Sequence, residues 1–204
     1  MVAPALTLVG RSSSHFTRVT RFFASELGVP YAFEVVTDLR ALDDAAYRGN
    51  PALRLPSLIA PSGTWYGSLN ICRELARLAP RSLRLVWPEQ LEDASASNLQ
   101  ELTLQAMSTE VELIMNDAPE SALATKRRES LLGTLRWLDA NVDAALGRLP
   151  PRDLSYLEVA LYCLVTHLDF RHVVPTAPYE RLRTFVESFG EREGARATPF
   201  VFDR

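Results

Sequence analysis

The stretch that most constrains this chain is Leu55-Pro56, set directly ahead of the short apolar run Ser57-Leu-Ile-Ala60. Proline cannot donate to a sheet ladder, so it belongs at a strand's first residue or at an edge. X-Pro bonds are the peptide bonds that readily go cis. A cis-proline opening a strand turns the backbone N–H and C=O of the preceding residue outward. There they can pair with another peptide as though it were one more strand. The alternative is an ordinary trans-proline at a strand start, and the neighbouring residues have to decide.

Those neighbours alternate strand and helix. Ala5-Leu-Thr-Leu-Val9 reads as a short apolar strand and Arg11-Ser-Ser-Ser14 as a turn. Val19, Phe22, Phe23 and Leu27 then recur at helical spacing, with Gly28 and Pro30 closing the helix. Tyr31-Ala-Phe-Glu-Val-Val36 supplies a second strand, and a β-α-β unit requires a parallel pair. Beyond Ala60, the turn Pro61-Ser-Gly63 and the run Thr64-Trp-Tyr66 predict a hairpin. Ser68 is placed to cap a last helix carrying Ile71, Leu75 and Leu78 on one face. The order is β-α-β, a connecting helix, then β-β-α, which is that of a thioredoxin-like domain.

The pattern changes near residue 80. Residues 1–79 form the alternating domain, and Pro80 to Pro88, with proline at both ends and no helical period, reads as a linker. Residues 89–204 are helical. Leu99, Leu102, Ala106 and Leu113 mark one amphipathic helix, which also carries Glu110 and Glu112. Leu131, Leu135, Leu138, Val142 and Leu146 mark another, with Gly147 where a C-terminal cap belongs. Ser155-Tyr-Leu-Glu158 has the spacing of a capping box, and the helix it opens, Val159 to Phe170, is apolar nearly all round and therefore buried. Leu182, Phe185, Val186 and Phe189 give a short final helix.

Composition excludes several classes. A formal charge of −3 gives no pull toward nucleic acid or anionic membranes. No apolar run approaches the ~18 residues that a membrane span needs. The N-terminus has no basic-then-apolar signal pattern, and two distant cysteines in apolar helices suit free thiols in the cytoplasm. Three scattered histidines and two cysteines lack metal-ligand spacing, so no metal is expected.

Candidate chemistry gathers at Ser12 to Thr17. A helix N-terminus presents unpaired N–H groups and about half a positive charge. No cysteine stands there, but a serine hydroxyl can donate to a thiolate that arrives on a ligand. Bringing a thiol from about 8.5 to near neutrality takes about 3 kcal/mol. One hydrogen bond to a charged acceptor, about 1.5–3 kcal/mol, plus about 0.3–1 kcal/mol from the helix dipole, covers that. Serine is equally a common helix cap, so Ser12, Ser13 and Ser14 also fit a purely structural role. Adjacent residues at a helix start point apart, so His15 is no base for Ser14.

Three stretches carry a resemblance to bacterial cytosolic glutathione transferases. Asn50-Pro-Ala-Leu-Arg-Leu-Pro-Ser-Leu58 resembles that family's Asn-Pro-x-Gly-Lys-Val-Pro-x-Leu. Gly67-Ser-Leu-Asn-Ile71 resembles its Glu-Ser-x-Ala-Ile, and Ser14-His-Phe-Thr-Arg-Val-Thr20 its Ser-Pro-Tyr-x-Arg-Lys-Val. The resemblance implies an α/β thioredoxin-like N-terminal domain plus an all-α C-terminal domain, a homodimer, and glutathione as co-substrate. It places the catalytic serine at Ser14, with Ser13 as the other candidate. Leu55, before Pro56, would pair with the cysteinyl backbone of glutathione. Ser68 would receive the γ-glutamyl carboxylate, and Arg54 with Arg40 the glycyl carboxylate. Gly67 replaces an acidic residue that helps to hold the ligand's ammonium group, which implies binding weaker by about tenfold. Met107, Val111 and Met115 are the candidates for an apolar pocket holding a small electrophile. Thr17 stands where thiol-disulfide relatives keep a second cysteine, which excludes Cys-x-x-Cys exchange. The second possibility on the same fold is a non-catalytic binding or scaffold protein.

Overall fold

The computed structural model describes residues 6–203. The first residue of the expected opening strand, Ala5, lies outside them. The described chain divides into two compact units. One runs up to Ser82 and takes back the residues from Glu191 onward; the other is Leu83–Gly190.

In the first unit β1 (Thr7–Gly10), α1 (His15–Leu27) and β2 (Ala32–Val35) form the β-α-β unit. β3 (Ser57–Ala60) and β4 (Gly63–Tyr66) form the hairpin, and α2 (Ser68–Leu78) follows. The sheet order is β2-β1-β3-β4, with β1 and β2 parallel and the other pairs antiparallel. This is the thioredoxin-like arrangement. The connecting helix shrinks to a single 3₁₀ turn, Asp44–Tyr47, capped by the Asp43 carboxylate, which accepts from the Ala45 N–H at 2.9 Å. Tyr47 is buried with Val9 and Val36, and Leu53, Leu55 and Ile59 pack against that cluster.

Local signals explain the boundaries of α1. Ser14 is its N-cap, the Ser14 hydroxyl oxygen accepting from the Thr17 N–H at 3.3 Å. Gly28 ends it at φ 69°, a left-handed conformation that glycine adopts without a Cβ penalty. Val19, Phe22, Phe23 and Leu27 are all buried, as their spacing predicts.

The second unit is helical: α3 (Ala94–Ile114), α4 (Ala122–Gly147), α5 (Tyr156–Arg171) and α6 (Glu180–Phe189). Part of the expected linker belongs to it, because β5 (Leu85–Val86) pairs in parallel with β6 (Leu154–Ser155). Two-residue strands carry no readable period, so only the pairing reveals them. Gly147 is the last helical residue of α4 and Arg148 the cap, one position later than the sequence pattern placed it. Ser155 does cap α5, accepting from the Glu158 N–H at 3.1 Å. The Glu158 carboxylate accepts from the Ser155 hydroxyl at 2.7 Å and pairs with Arg152 at 2.7 Å. Within the apolar packing of this unit, the Glu110 carboxylate and His167 Nδ1 lie 2.8 Å apart, both fully or almost fully buried.

The chain beyond Glu191 does not belong to the helical unit, contrary to the expected boundary of 89–204. It forms α7 (Glu193–Ala197) and packs on α1. Glu26 holds it there: one carboxylate oxygen accepts from the Gly194 N–H at 2.8 Å and the other from Arg192 at 2.8 Å. Among the described residues no helix is long and apolar enough to cross a membrane. Cys72 and Cys163 are buried and form no disulfide.

Candidate functional site

Strand register alone gathers most of the candidate residues. Val9 lies opposite Ser57 in the β1–β3 ladder, so Gly10 leaves the sheet where Pro56 enters it. Ser57 in turn lies opposite Tyr66, so Gly67 and Ser68 emerge at that same end. With neighbouring strands about 4.8 Å apart, three loops start within about 10 Å of one another. They carry Ser12 to Ser14, Leu55-Pro56 and Gly67-Ser68.

The first loop is the turn into α1. Ser12 and Ser13 are buried, whereas Ser14 is half-buried. Capping uses one lone pair of the Ser14 hydroxyl, and its hydrogen is still able to donate. Gly10 ends β1 so close to the helix that a Cβ there would lie 2.4 Å from Thr17 Cγ2. His15 is buried, its ring edge-on to Phe16 at 4.6 Å.

The second loop contains the cis peptide bond Leu55-Pro56 that the sequence anticipates. The buried Asn50 side chain braces it: Nδ2 donates to the Arg54 carbonyl at 2.8 Å, and Oδ1 accepts from the Ala52 N–H at 3.0 Å. Asn50 is a site-shaping residue that sequence reasoning recognised only as part of a motif. Leu55 is half-buried, resting on the Tyr47 cluster. Burial, and secondarily the Asp38 charge, push the Tyr47 phenol up from its ordinary value. Arg54 and Arg40 are both exposed, and the Arg40 N–H donates to Asp38 Oδ1 at 2.8 Å.

In the third loop the cap of α2 is Gly67, not Ser68. Gly67 has φ 79° and ψ 139°, and no side chain caps the helix. Ser68 is the first helical residue and is buried. A positive φ is where glycine costs least, and a Cβ at Gly67 would have nothing within 4 Å. Asn70 Nδ2 donates to the Tyr66 carbonyl at 3.2 Å, and Tyr66 itself donates to the Gly49 carbonyl at 2.8 Å.

Residues 8–83 match the family model described as the N-terminal domain of glutathione S-transferase. This stretch is a glutathione S-transferase N-terminal domain. The whole chain has the glutathione S-transferase fold, as solved structures show. A Pseudomonas fluorescens glutathione transferase family member with bound glutathione superposes with a TM-score of 0.74 at 22% identity, covering 95% of this chain and 98% of that one. A Methylobacterium radiotolerans glutathione S-transferase in complex with glutathione sulfonate gives 0.72 at 20% identity, with 98% of each chain covered. A Methylobacillus flagellatus glutathione S-transferase with glutathione bound gives 0.71 at 18% identity, covering 96% of this chain and 100% of that one. No curated protein sequence matches the chain.

In this glutathione S-transferase fold the three pocket candidates lie along α3 and at its C-terminal cap, with different burial. Met107 is fully buried core of α3, whereas Val111 and Met115 are more than one-third exposed. Their four-residue spacing put them on one stripe, but α3 ends at Ile114 and Met115 serves as its cap. The stripe therefore sinks into the core at one end and opens to solvent at the other.

Proposed function

We propose that this protein is a glutathione transferase that binds glutathione at the end of the first unit's sheet. The observation that carries the reading is the register that brings the Ser12–Ser14 turn, Leu55-Pro56 and Gly67-Ser68 together within one glutathione S-transferase N-terminal domain. Leu55 offers its backbone to the cysteinyl residue of glutathione, as an added strand would be taken up. The start of α2, at Ser68, receives the γ-glutamyl carboxylate, since unpaired N–H groups and the helix dipole favour an anion there. Arg54 and Arg40 supply guanidinium groups suited to the glycyl carboxylate.

At the turn, Ser14 donates its hydroxyl hydrogen to the glutathione sulfur, with Ser13 as the alternative donor. The thiol proton leaves to solvent, and the thiolate is held by that hydrogen bond and by the α1 N-terminus. The thiolate then forms a carbon–sulfur bond with a small hydrophobic electrophile, whose leaving group departs with the bonding electron pair. Buried thiols outside any disulfide fit a cytoplasmic protein, and a homodimer is the expected assembly.

The non-catalytic reading keeps one specific support. Gly67 brings no carboxylate to hold the ligand's ammonium group. Calorimetric titration of glutathione into the wild type and into Ser68→Ala separates the two. Binding that Ser68→Ala weakens about tenfold or more supports the site. Ser14→Ala, assayed with a chlorinated aromatic substrate, then tests the thiolate role. Absence of binding at about 10 mM glutathione would overturn the transferase reading in favour of a protein-binding role.

A further inference from the structure

The end of the chain returns to the turn that heads α1. The Ser12 N–H donates to Asp203 Oδ2 at 2.7 Å, across 191 residues of sequence. The segment before it is firmly tied to α1. The buried Arg18 donates through Nη2 to the Ala195 carbonyl at 3.3 Å, and its guanidinium lies 4.3 Å from the centre of the Phe200 ring. Thr198 donates to the Gly194 carbonyl at 2.6 Å. Past Phe200 the character changes, for Val201 is 48% exposed and Phe202 is 61% exposed. An anchored segment is thus followed by a short exposed arm, and the arm delivers a carboxylate to a main-chain donor of the serine turn.

Burial accounts for only part of that arm, because its two apolar side chains stay about half exposed. Ser12 and Ser13 are buried, and Ser14 is the half-buried residue of the turn. The carboxylate brings negative charge to the turn two residues ahead of the Ser14 cap of α1, next to a helix end that favours an anion. We propose that Asp203 is an internal anionic occupant of the Ser12–Ser14 turn, an autoinhibitory contact that the glutathione thiolate displaces when it binds. The inference rests on the glutathione site proposed above. Two anions cannot share the turn without mutual repulsion, so occupancy by Asp203 lowers apparent glutathione affinity and disfavours ionisation of the bound thiol.

The test compares the wild type, Asp203→Asn, and a chain shortened to end at Phe200. The shortened chain keeps the Arg18 and Glu26 anchors, so it retains the docked α7. Glutathione affinity is read by calorimetry, the pKa of the bound thiol by thiolate absorbance, and the Ser12 amide by its NMR shift and hydrogen exchange. Both variants are expected to bind glutathione about tenfold more tightly, the size of one hydrogen bond to a charged acceptor. The bound thiol should ionise at lower pH, and the Ser12 amide of the free protein should exchange faster. Equal affinity and equal thiol pKa in all three proteins would overturn the inference while leaving the glutathione site standing. An unchanged Ser12 amide in the chain shortened to end at Phe200 would overturn it as well. Binding by none of the three at about 10 mM would remove the site reading itself, and the autoinhibitory role with it.

Discussion

Gly194 lies against the ring of Phe22 so closely that a Cβ there would sit 2.6 Å from Phe22 Cδ1. The ring is fully buried in the first unit, so it cannot swing aside as an exposed side chain would. Gly194→Ala is therefore expected to push α7 off α1, at a cost of about 1–3 kcal/mol. Limited proteolysis should then cut the tail before the rest of the chain, and thermal unfolding should show the loss. A tail as resistant as that of the wild type would contradict this packing.

Glu74 gives the stability of the first unit a pH dependence. Its buried carboxylate is held below the usual glutamate range first by the Arg77 guanidinium at 2.7 Å, then by the Ser62 hydroxyl at 2.6 Å, while burial opposes them. A depressed value in the folded state means that the unfolded chain binds the proton more readily. The stabilisation is therefore complete above the unfolded value of about 4.5 and is lost as pH falls through the lower folded value. Glu74→Gln should lower stability at pH 7 by on the order of 1 kcal/mol, with the gap to wild type closing near pH 3. Urea unfolding of both proteins at the two pH values measures it.

Gly67→Glu offers a gain-of-function test of the proposed site. The backbone is left-handed there, so a side chain costs about 1–2 kcal/mol of stability, although the space is open. If glutathione binds as proposed, the added carboxylate reaches the ligand's ammonium group and raises affinity about tenfold. Calorimetry should record tighter binding by a protein that melts at a lower temperature. Weaker or unchanged binding would separate this end of the sheet from the γ-glutamyl group.

Ser155→Ala should destabilise the helical unit by about 1–2 kcal/mol. The substitution leaves the Glu158 N–H without its cap and removes the hydroxyl donor to the Glu158 carboxylate, which retains Arg152. The measurement is the midpoint of chemical unfolding. Glutathione binding should stay as in the wild type, since no proposed ligand contact lies on α5.

The sequence by itself determined what depends on near neighbours. Hydrophobic spacing predicted the buried faces of α1 and α4 and the Ile71 and Leu75 positions of α2, although Leu78 on the same stripe is exposed; Gly28 marked the end of α1, the serine turn its start, and Ser155 the cap of α5. Proline ahead of an apolar run marked the entry of β3. These signals act over a few residues, and local backbone geometry enforces them. Only the tertiary structure decided the pairing of Ser12 with Asp203, the docking of Gly194 on Phe22, and the burial of Glu110 against His167. Sequence patterning recorded Glu110 only as an acidic residue on an amphipathic helix, because one helix does not show which neighbour covers it. It likewise assigned the tail to the helical domain by adjacency along the chain. The tail went to α1 instead because Glu26, Arg18 and Phe22 together offer it two carboxylate bonds, a carbonyl partner and a fitted apolar surface. Those partners lie more than 160 residues away in sequence, beyond the reach of any local period.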